Sequence, residues 1–464
     1  MYLQQFYLGC LSHASYLLGS QGIAAVVDPQ RDVAIYIEDA AKNGLRIAYV
    51  IETHLHADFI SGHRELAAMT GAQIYLGAEA GARFPHVPVR DGDELRFGDC
   101  LLRFLETPGH TPESISIVVY DTAANASEPH AVLTGDTLFI GDVGRPDLAP
   151  GHTPQQLAAM LYDSLHTKLL NLPDSVLVYP AHGAGSLCGK QLSAERSSTI
   201  GRQRVENYAL RARSKEEFVR LLTSELPERP GYFAADAELN RSGPAPLGDL
   251  AIPEALSPRE VLKLQEEGAL VLDTRPAAQF GGGHVPGAIH VALSGQFASW
   301  AARIIGLEPR IVLVAEDRDA VLEARTRLAR VGMENVAGYL EDGVTAWSRE
   351  KLPFAEVPQV SVQDVYRELD HLQVVDVRQP GEWESGHIAG ALHKPVGKLT
   401  SMLDDLDRAR PVAVHCKSGY RSSIATSLLK REGFSEVINM IGGIDAWQAC
   451  SLPVAGRPTE AAAT

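Results

Sequence analysis

Thr53-His54-Leu55-His56-Ala57-Asp58-Phe59 sets two histidines two apart and an aspartate two further on. It leaves an apolar run, 47–51, that reads as a buried strand. Side chains at i and i+2 of a strand point to one side, so His54 and His56 can converge on a single point. Three more stretches follow the same plan: Thr107-Pro108-Gly109-His110-Thr111, Thr134-Gly135-Asp136-Thr137-Leu138 and Tyr179-Pro180-Ala181-His182-Gly183. Each puts a His or Asp just past a strand end, beside small residues that free the backbone to turn. One such stretch reads as a loop histidine or a helix cap. Four in succession read as a metal-binding rim. A second kind of chemistry sits in Val414-His415-Cys416-Lys417-Ser418-Gly419-Tyr420-Arg421-Ser422-Ser423. There a cysteine lies between an apolar strand, 412–414, and a helix, 424–431. Loop N–H groups near a helix N-terminus stabilise a thiolate and any anion bound to it, and Lys417 and Arg421 add positive charge. Such a thiolate can accept a sulfane sulfur and pass it to a nucleophile.

The elements that must position these groups are legible as apolar runs. Strands are expected over 15–18, 24–28, 47–53, 73–76, 101–106, 114–120, 131–135 and 176–179. Helices are expected over 33–43, 62–69 and 154–170, the last entered through Thr153-Pro154 as cap and first helical residue. Many strands with few helices imply stacked sheets flanked by helices. The pattern turns helical and charged over 194–222. Pro227-Glu228-Arg229-Pro230-Gly231 breaks it, and Gly243-Pro244-Ala245-Pro246-Leu247-Gly248 reads as a linker.

Beyond Pro253 the chain repeats itself. Val271-Leu272-Asp273-Thr274-Arg275 answers Val375-Asp376-Val377-Arg378, and Gly283-His284-Val285-Pro286-Gly287-Ala288 answers Gly386-His387-Ile388-Ala389-Gly390-Ala391. Gly343-Val344-Thr345-Ala346-Trp347 answers Gly443-Ile444-Asp445-Ala446-Trp447. Each copy alternates strand and helix, so each is expected to be a small α/β domain with a mostly parallel sheet. The first copy has Val314-Ala315-Glu316 where the second has Val414-His415-Cys416. A carboxylate there repels an anionic sulfur donor and cannot carry sulfur. That copy is therefore expected to be non-catalytic, with Arg275 and His284 structural.

At 464 residues the chain is too long for one core. Its net charge of −16 argues against nucleic acid or an anionic membrane surface as a partner. No segment is apolar enough to span a bilayer, and residues 1–18 lack the pattern of a signal peptide. Five widely spaced cysteines do not suggest a disulfide framework, and a cytoplasmic location is expected. Cys188 reads as a packed small residue close to the pocket, and Cys10, Cys100 and Cys450 as structural.

Residues 1–245 resemble the metallo-β-lactamase fold, an αββα sandwich, through His54-Leu55-His56-Ala57-Asp58, His110, Asp136 and His182. Members of that family often carry His-x-His-x-Asp-His and bind two metals. Here Phe59 stands in place of the last His, and Phe cannot ligate a metal, so a second site is expected to be empty. Two histidines and a carboxylate with open positions suit non-haem Fe(II) and O₂. Within the family the chain most resembles the persulfide dioxygenases, which also share Gly144-Arg145-Pro146-Asp147. That resemblance implies one Fe(II) per chain on His54, His110 and Asp136. It implies that His56, Asp58, His182 and Asp147 support the ligands, and that Arg145 serves structure or an anionic substrate. Tyr179 is a further candidate for lining the pocket. An alternative has His56 ligating zinc directly.

Within a domain expected over 357–464, residues 357–456 resemble the rhodanese family through Asp376-Val377-Arg378, Glu382-Trp383, Gly386-His387 and the six-residue loop 416–421, the sulfur-selective size. Cys416, Lys417 and Arg421 are the implied catalytic residues. Residues 246–356 are read as the non-catalytic rhodanese-like domain. Jointly the resemblances imply oxidation of a glutathione- or coenzyme A-type persulfide by O₂ to sulfite and thiol. Sulfur transfer through Cys416 would then form or use thiosulfate, in a homodimer or homotetramer. The competing expectation is a glyoxalase II-like zinc thioester hydrolase with a sulfurtransferase domain.

Overall fold

The computed structural model describes residues 1–224, 226 and 228–456; Pro227 of the expected helix breaker lies outside the described residues. Residues 1–250 belong to one compact unit, and residues 251–325 with those from Asn335 onward to another.

The first unit is built on two six-stranded sheets, each using its strands in chain order. The first sheet runs from Tyr2–Leu8 to Val87–Val89 and the second from Glu94–Phe97 to Ser198–Thr199. Alternation decides which residues meet. Ala14, Tyr16 and Leu18 of one sheet and Leu102, Phe104, Ile117 and Val119 of the other form the core between the sheets. Leu17, Val26 and Val50 face the other way and pack with Tyr36, Ala40 and Leu66 of the helices Ala34–Lys42 and His63–Thr70. On the second sheet Leu101, Val118 and Val178 meet Ala158, Leu161 and Leu165 of the helix Pro154–Thr167, and Phe218 of Lys215–Thr223. Strands buried on both faces explain why the sequence shows apolar runs rather than strict alternation. The layers are helix, sheet, sheet, helix.

The edge strands Tyr2–Leu8, Val87–Val89 and Glu94–Phe97 are additions to the sequence expectation. Tyr2–Leu8 has no fully buried residue, so its hydrophobic signal is weak. The expected helix over 154–170 ends at Thr167, and a 3₁₀ turn, Leu169–Asn171, completes the segment.

In the second unit each repeat forms a five-stranded, all-parallel sheet of identical order. The first runs Glu254–Leu256, Val336–Leu340, Ile311–Val314, Leu270–Asp273, Ile289–His290. The second runs Gln359–Val360, Val437–Met440, Val412–His415, Gln373–Asp376, Leu392–His393. The shared motifs hold matching positions. Trp347 and Trp447 are buried and donate to Pro353 O and Pro453 O, each at 2.9 Å. Arg275 and Arg378 clamp Asp273 and Asp376, and each also donates to the backbone carbonyl before its repeat's histidine, Gly283 O and Gly386 O. Among the described residues, no helix is long and apolar enough to cross a membrane.

Candidate active sites

All four histidine- or aspartate-bearing stretches of the first unit leave strand ends. His54 follows Arg46–Ile51, His110 follows Cys100–Glu106, Asp136 follows Ala131–Gly135 and His182 follows Leu177–Pro180. Local chemistry sets their orientation. Asp28 accepts from Thr53 N at 2.7 Å and from Thr53 Oγ1 at 2.9 Å. The Thr53 hydroxyl has then donated its proton, so at 3.0 Å it accepts from His54 Nδ1. That fixes the tautomer and leaves a lone pair on His54 Nε2. The same logic holds for His110, whose Nδ1 donates to Arg145 O at 3.0 Å and leaves Nε2 as an acceptor. This carbonyl sits in a turn that needs glycine: a Cβ on Gly144 would run into Asp136 O and come within 2.9 Å of His110 Nδ1.

His110 Nε2 lies 3.3 Å and His54 Nε2 3.8 Å from Asp136 Oδ2. His54 Nε2 and Asp136 Oδ2 are buried without a hydrogen-bond partner among the described residues. Ligand atoms of His54, His110 and Asp136 all lie within 4.8 Å of one another. Buried polar atoms left this way are costly unless something fills the gap. Two neutral imidazole nitrogens and a carboxylate oxygen fit a divalent transition metal. Burial, with neighbouring His56, pushes His54 well below the ordinary imidazole range, so it stays neutral. Burial alone would raise Asp136; His182 and His110 outweigh it and hold the carboxyl well below the usual range.

The other oxygen of Asp136 accepts from His182 Nδ1 at 2.8 Å, and His182 Nε2 is 2.9 Å from Asp58 Oδ2. Burial opposes charge on His182, but Asp136 and Asp58 on either side raise it well above the ordinary value. His182 thus bridges two carboxylates as an imidazolium. His56 turns away from the trio: its Nε2 lies 3.2 Å from Asp28 Oδ1 and 3.6 Å from Glu52 Oε2. Phe59 is fully buried, with its ring centroid 4.4 Å from that of His56 and 4.2 Å from that of His13.

Arg145 donates twice to Asp147, at 2.7 and 2.8 Å, and once to Leu187 O. Its side chain braces the loop whose carbonyl holds His110. Tyr179 packs edge-on against Tyr16 on the inter-sheet core. Sequence reasoning gave Cys188 little weight, yet it groups with Asp58 and His182, fully buried, within 4.8 Å. Burial, Asp58 and Asp136 push its thiol well above the ordinary value. Asn240 was missed altogether. From the helix Phe233–Ser242 it donates to His56 O at 2.8 Å and Phe59 O at 2.7 Å and accepts from Ser61 N at 2.9 Å.

In the second unit Cys416 follows Val412–His415 and precedes the helix Tyr420–Arg431. Its sulfur is buried and accepts from Gly419 N at 3.1 Å, with Ser422 Oγ at 3.7 Å. Ile444 N and Asp445 N hold Cys416 O and Lys417 O, which fixes the loop from behind. A Cβ on Gly443, at φ 56°, would come within 2.6 Å of Lys417 O, so the Gly-Ile-Asp-Ala-Trp motif positions the cysteine loop. Arg421 is paired with Glu382 at 2.6 and 2.8 Å, and Lys417 is exposed. In the first repeat the matching position is Glu316, exposed after Ile311–Val314.

The family model for the metallo-β-lactamase superfamily matches residues 8–182, and that for the rhodanese-like domain matches 257–350 and 361–450. Human mitochondrial persulfide dioxygenase ETHE1 is 34% identical over 212 residues, which is 45% of this chain and 75% of that protein. The chain belongs to the metallo-β-lactamase superfamily, fused to tandem rhodanese domains and homologous to ETHE1-type persulfide dioxygenases. A hydroxyacylglutathione hydrolase of Hahella chejuensis is 31% identical over 223 residues, 48% of this chain and 81% of that enzyme. The crystal structure of a metallo-β-lactamase from Staphylococcus aureus COL is 33% identical at a TM-score of 0.66, covering 73% of this chain and 98% of that one.

Proposed function

We propose that the chain oxidises a low-molecular-weight thiol persulfide with O₂ and handles the sulfur product in its last domain. The observation that carries the first step is the trio His54, His110 and Asp136, with two lone-pair nitrogens and an unpartnered carboxylate oxygen facing one point. One Fe(II) held there would supply the one-electron chemistry that lets O₂ react with a closed-shell sulfur. The reaction is RSSH + O₂ + H₂O giving RSH, sulfite and two protons.

The chain's own residues do the rest. Thr53, oriented by Asp28, and the Arg145 carbonyl hold both imidazoles as neutral donors. His182, charged between Asp58 and Asp136, fixes the carboxylate that completes the trio. In the last domain Cys416, touched by the Gly419 N–H, carries the sulfane sulfur. Sulfite attacks the outer sulfur, thiosulfate leaves, and the bonding pair returns to the Cys416 sulfur. The reverse direction draws sulfur from thiosulfate. The persulfide dioxygenase name of one relative supports a persulfide substrate, and we assign it to the glutathione or coenzyme A type. We assign residues 1–245 to the oxidation, 246–356 to the silent repeat and 357–464 to sulfur transfer, in a cytoplasmic homodimer or homotetramer.

One observation favours a second reading, zinc-dependent thioester hydrolysis. Asp58, His182 and Cys188 form another buried three-donor group beside the first, and hydrolases are among the relatives. Metal analysis with an oxygen electrode decides between them. One iron per chain and O₂ uptake on adding glutathione persulfide, abolished by His110→Ala, supports the dioxygenase. Two zinc ions with thioester cleavage and no O₂ uptake overturns it.

A further inference from the structure

The second unit contains a cavity of about 520 Å³ whose walls come from both rhodanese-like repeats. Sulfite or thiosulfate would fill a small part of it, while the volume is typical of sites for organic ligands. Gly419 lines it, and this is the residue whose N–H touches the Cys416 sulfur. Tyr420 of the catalytic repeat and Ala277, Leu293 and Ile441 make much of the remaining surface apolar. Among the described lining residues Glu316 carries the only charge.

The Cys-less repeat is tied firmly to the catalytic one at this place. Tyr420 Oη donates to Ala292 O at 2.8 Å. Ser423 Oγ bonds His290 Nδ1 at 2.8 Å, and His290 N donates to Ser427 Oγ at 3.0 Å. Three contacts from the helix that follows Cys416 fix the cavity's shape. Glu316 is itself oriented, since Gln279 Nε2 donates to its Oε1 at 2.6 Å, while Oε2 has no partner among the described residues. A carboxylate held this way disfavours a dianion at that end of the cavity and favours an ammonium group.

We propose that this cavity recognises an organic thiol bearing a cationic amine. Glu316 holds the ammonium group while the thiol reaches the sulfur on Cys416. The proposal rests on Cys416 being a sulfur carrier. The acceptor thiolate attacks the outer sulfur of Cys416–S–SH and a new S–S bond forms. The Cys416 S–S bond breaks with its electron pair left on the Cys416 sulfur, so RSSH leaves and no oxidant is needed. The silent repeat thus acts in acceptor selection.

The test uses the full chain, with thiosulfate as donor and 2-aminoethanethiol or its N-acetyl derivative as acceptor, rates being compared per thiolate. The wild type prefers the amine by about tenfold in kcat/KM, a difference of about 1.4 kcal/mol. Glu316→Gln brings the two acceptors within about twofold, mainly through KM, and Glu316→Asp retains the preference. A wild type without the preference, or a Glu316→Gln variant that keeps it, overturns the proposal. Absence of Cys416-dependent sulfur transfer from thiosulfate to cyanide overturns the sulfur-carrier reading, and this proposal with it.

Discussion

A metal site is made by the groups that deny its ligands any other use. His54 and His110 each have one nitrogen committed, to Thr53 and to the Arg145 carbonyl, so the other faces the shared point. Asp136 divides its oxygens between His182 and that point. Asp147 acts one step further out. It holds Arg145 through two charge-assisted bonds, and the Arg145 backbone holds His110. Asp147→Asn removes the charge and half of the fork while keeping the shape. Such indirect supports commonly contribute 10- to 100-fold to metal affinity. The expected result is a loss of roughly that size in iron retention, read by metal analysis after dialysis against a graded chelator. Sulfur transfer from thiosulfate to cyanide through Cys416 should stay at the wild-type rate. Equal losses in both would mean a general folding defect.

At the scale of elements, a helix far along the chain holds the loop that carries His54 and His56. Asn240 makes three bonds to the backbone around Phe59. Asn240→Ala takes a partner from two buried carbonyls and an N–H, a penalty of about 1–3 kcal/mol for each group left without another. The first unit's melting temperature should fall by several degrees, and iron retention with it; an unchanged melting curve would exclude the clamp. The strand-end cluster was legible because an apolar run followed by His or Asp and a small residue is a local pattern. Asn240 was not, because its partners are remote backbone atoms and nothing in Ala237-Glu238-Leu239-Asn240 marks it. Cys188 was undervalued for the same reason, since its neighbours Asp58 and His182 come from other loops. Tyr179 is the converse: it lies beside a motif, and its ring packs against the core. The repeats hold another element-scale consequence. His284 is buried against Phe280, and burial lowers it to about 4. The folded state therefore resists the proton that the unfolded chain takes up near pH 6.5. Stability is held above that value and lost as pH falls toward 4. Between pH 7 and 5 the loss is about 2 kcal/mol. The urea midpoint of the second unit should drop accordingly, and His284→Phe should flatten that pH dependence whatever its own effect on stability.

At the scale of the whole molecule, the residues assigned to each proposed chemistry come from one unit. The His54, His110 and Asp136 trio and its supports all come from residues 28–240, and the Cys416 loop with its cavity from residues 274–442. Sulfite, the product proposed for the first site, is a small, well-hydrated dianion. It is therefore expected to travel through solution. Cys416→Ser should then consume O₂ normally and accumulate sulfite in place of thiosulfate, while His110→Ala should carry sulfur but make no sulfite. Mixed in equal amounts with glutathione persulfide and O₂, the two variants should recover thiosulfate formation. A lag should shorten as protein concentration rises, because the sulfite made by one variant must reach Cys416 of the other. Recovery is read by separating sulfite and thiosulfate over the time course. Failure of the mixture, with each variant active in its own half-reaction, would mean that sulfite passes between the sites of one chain without release.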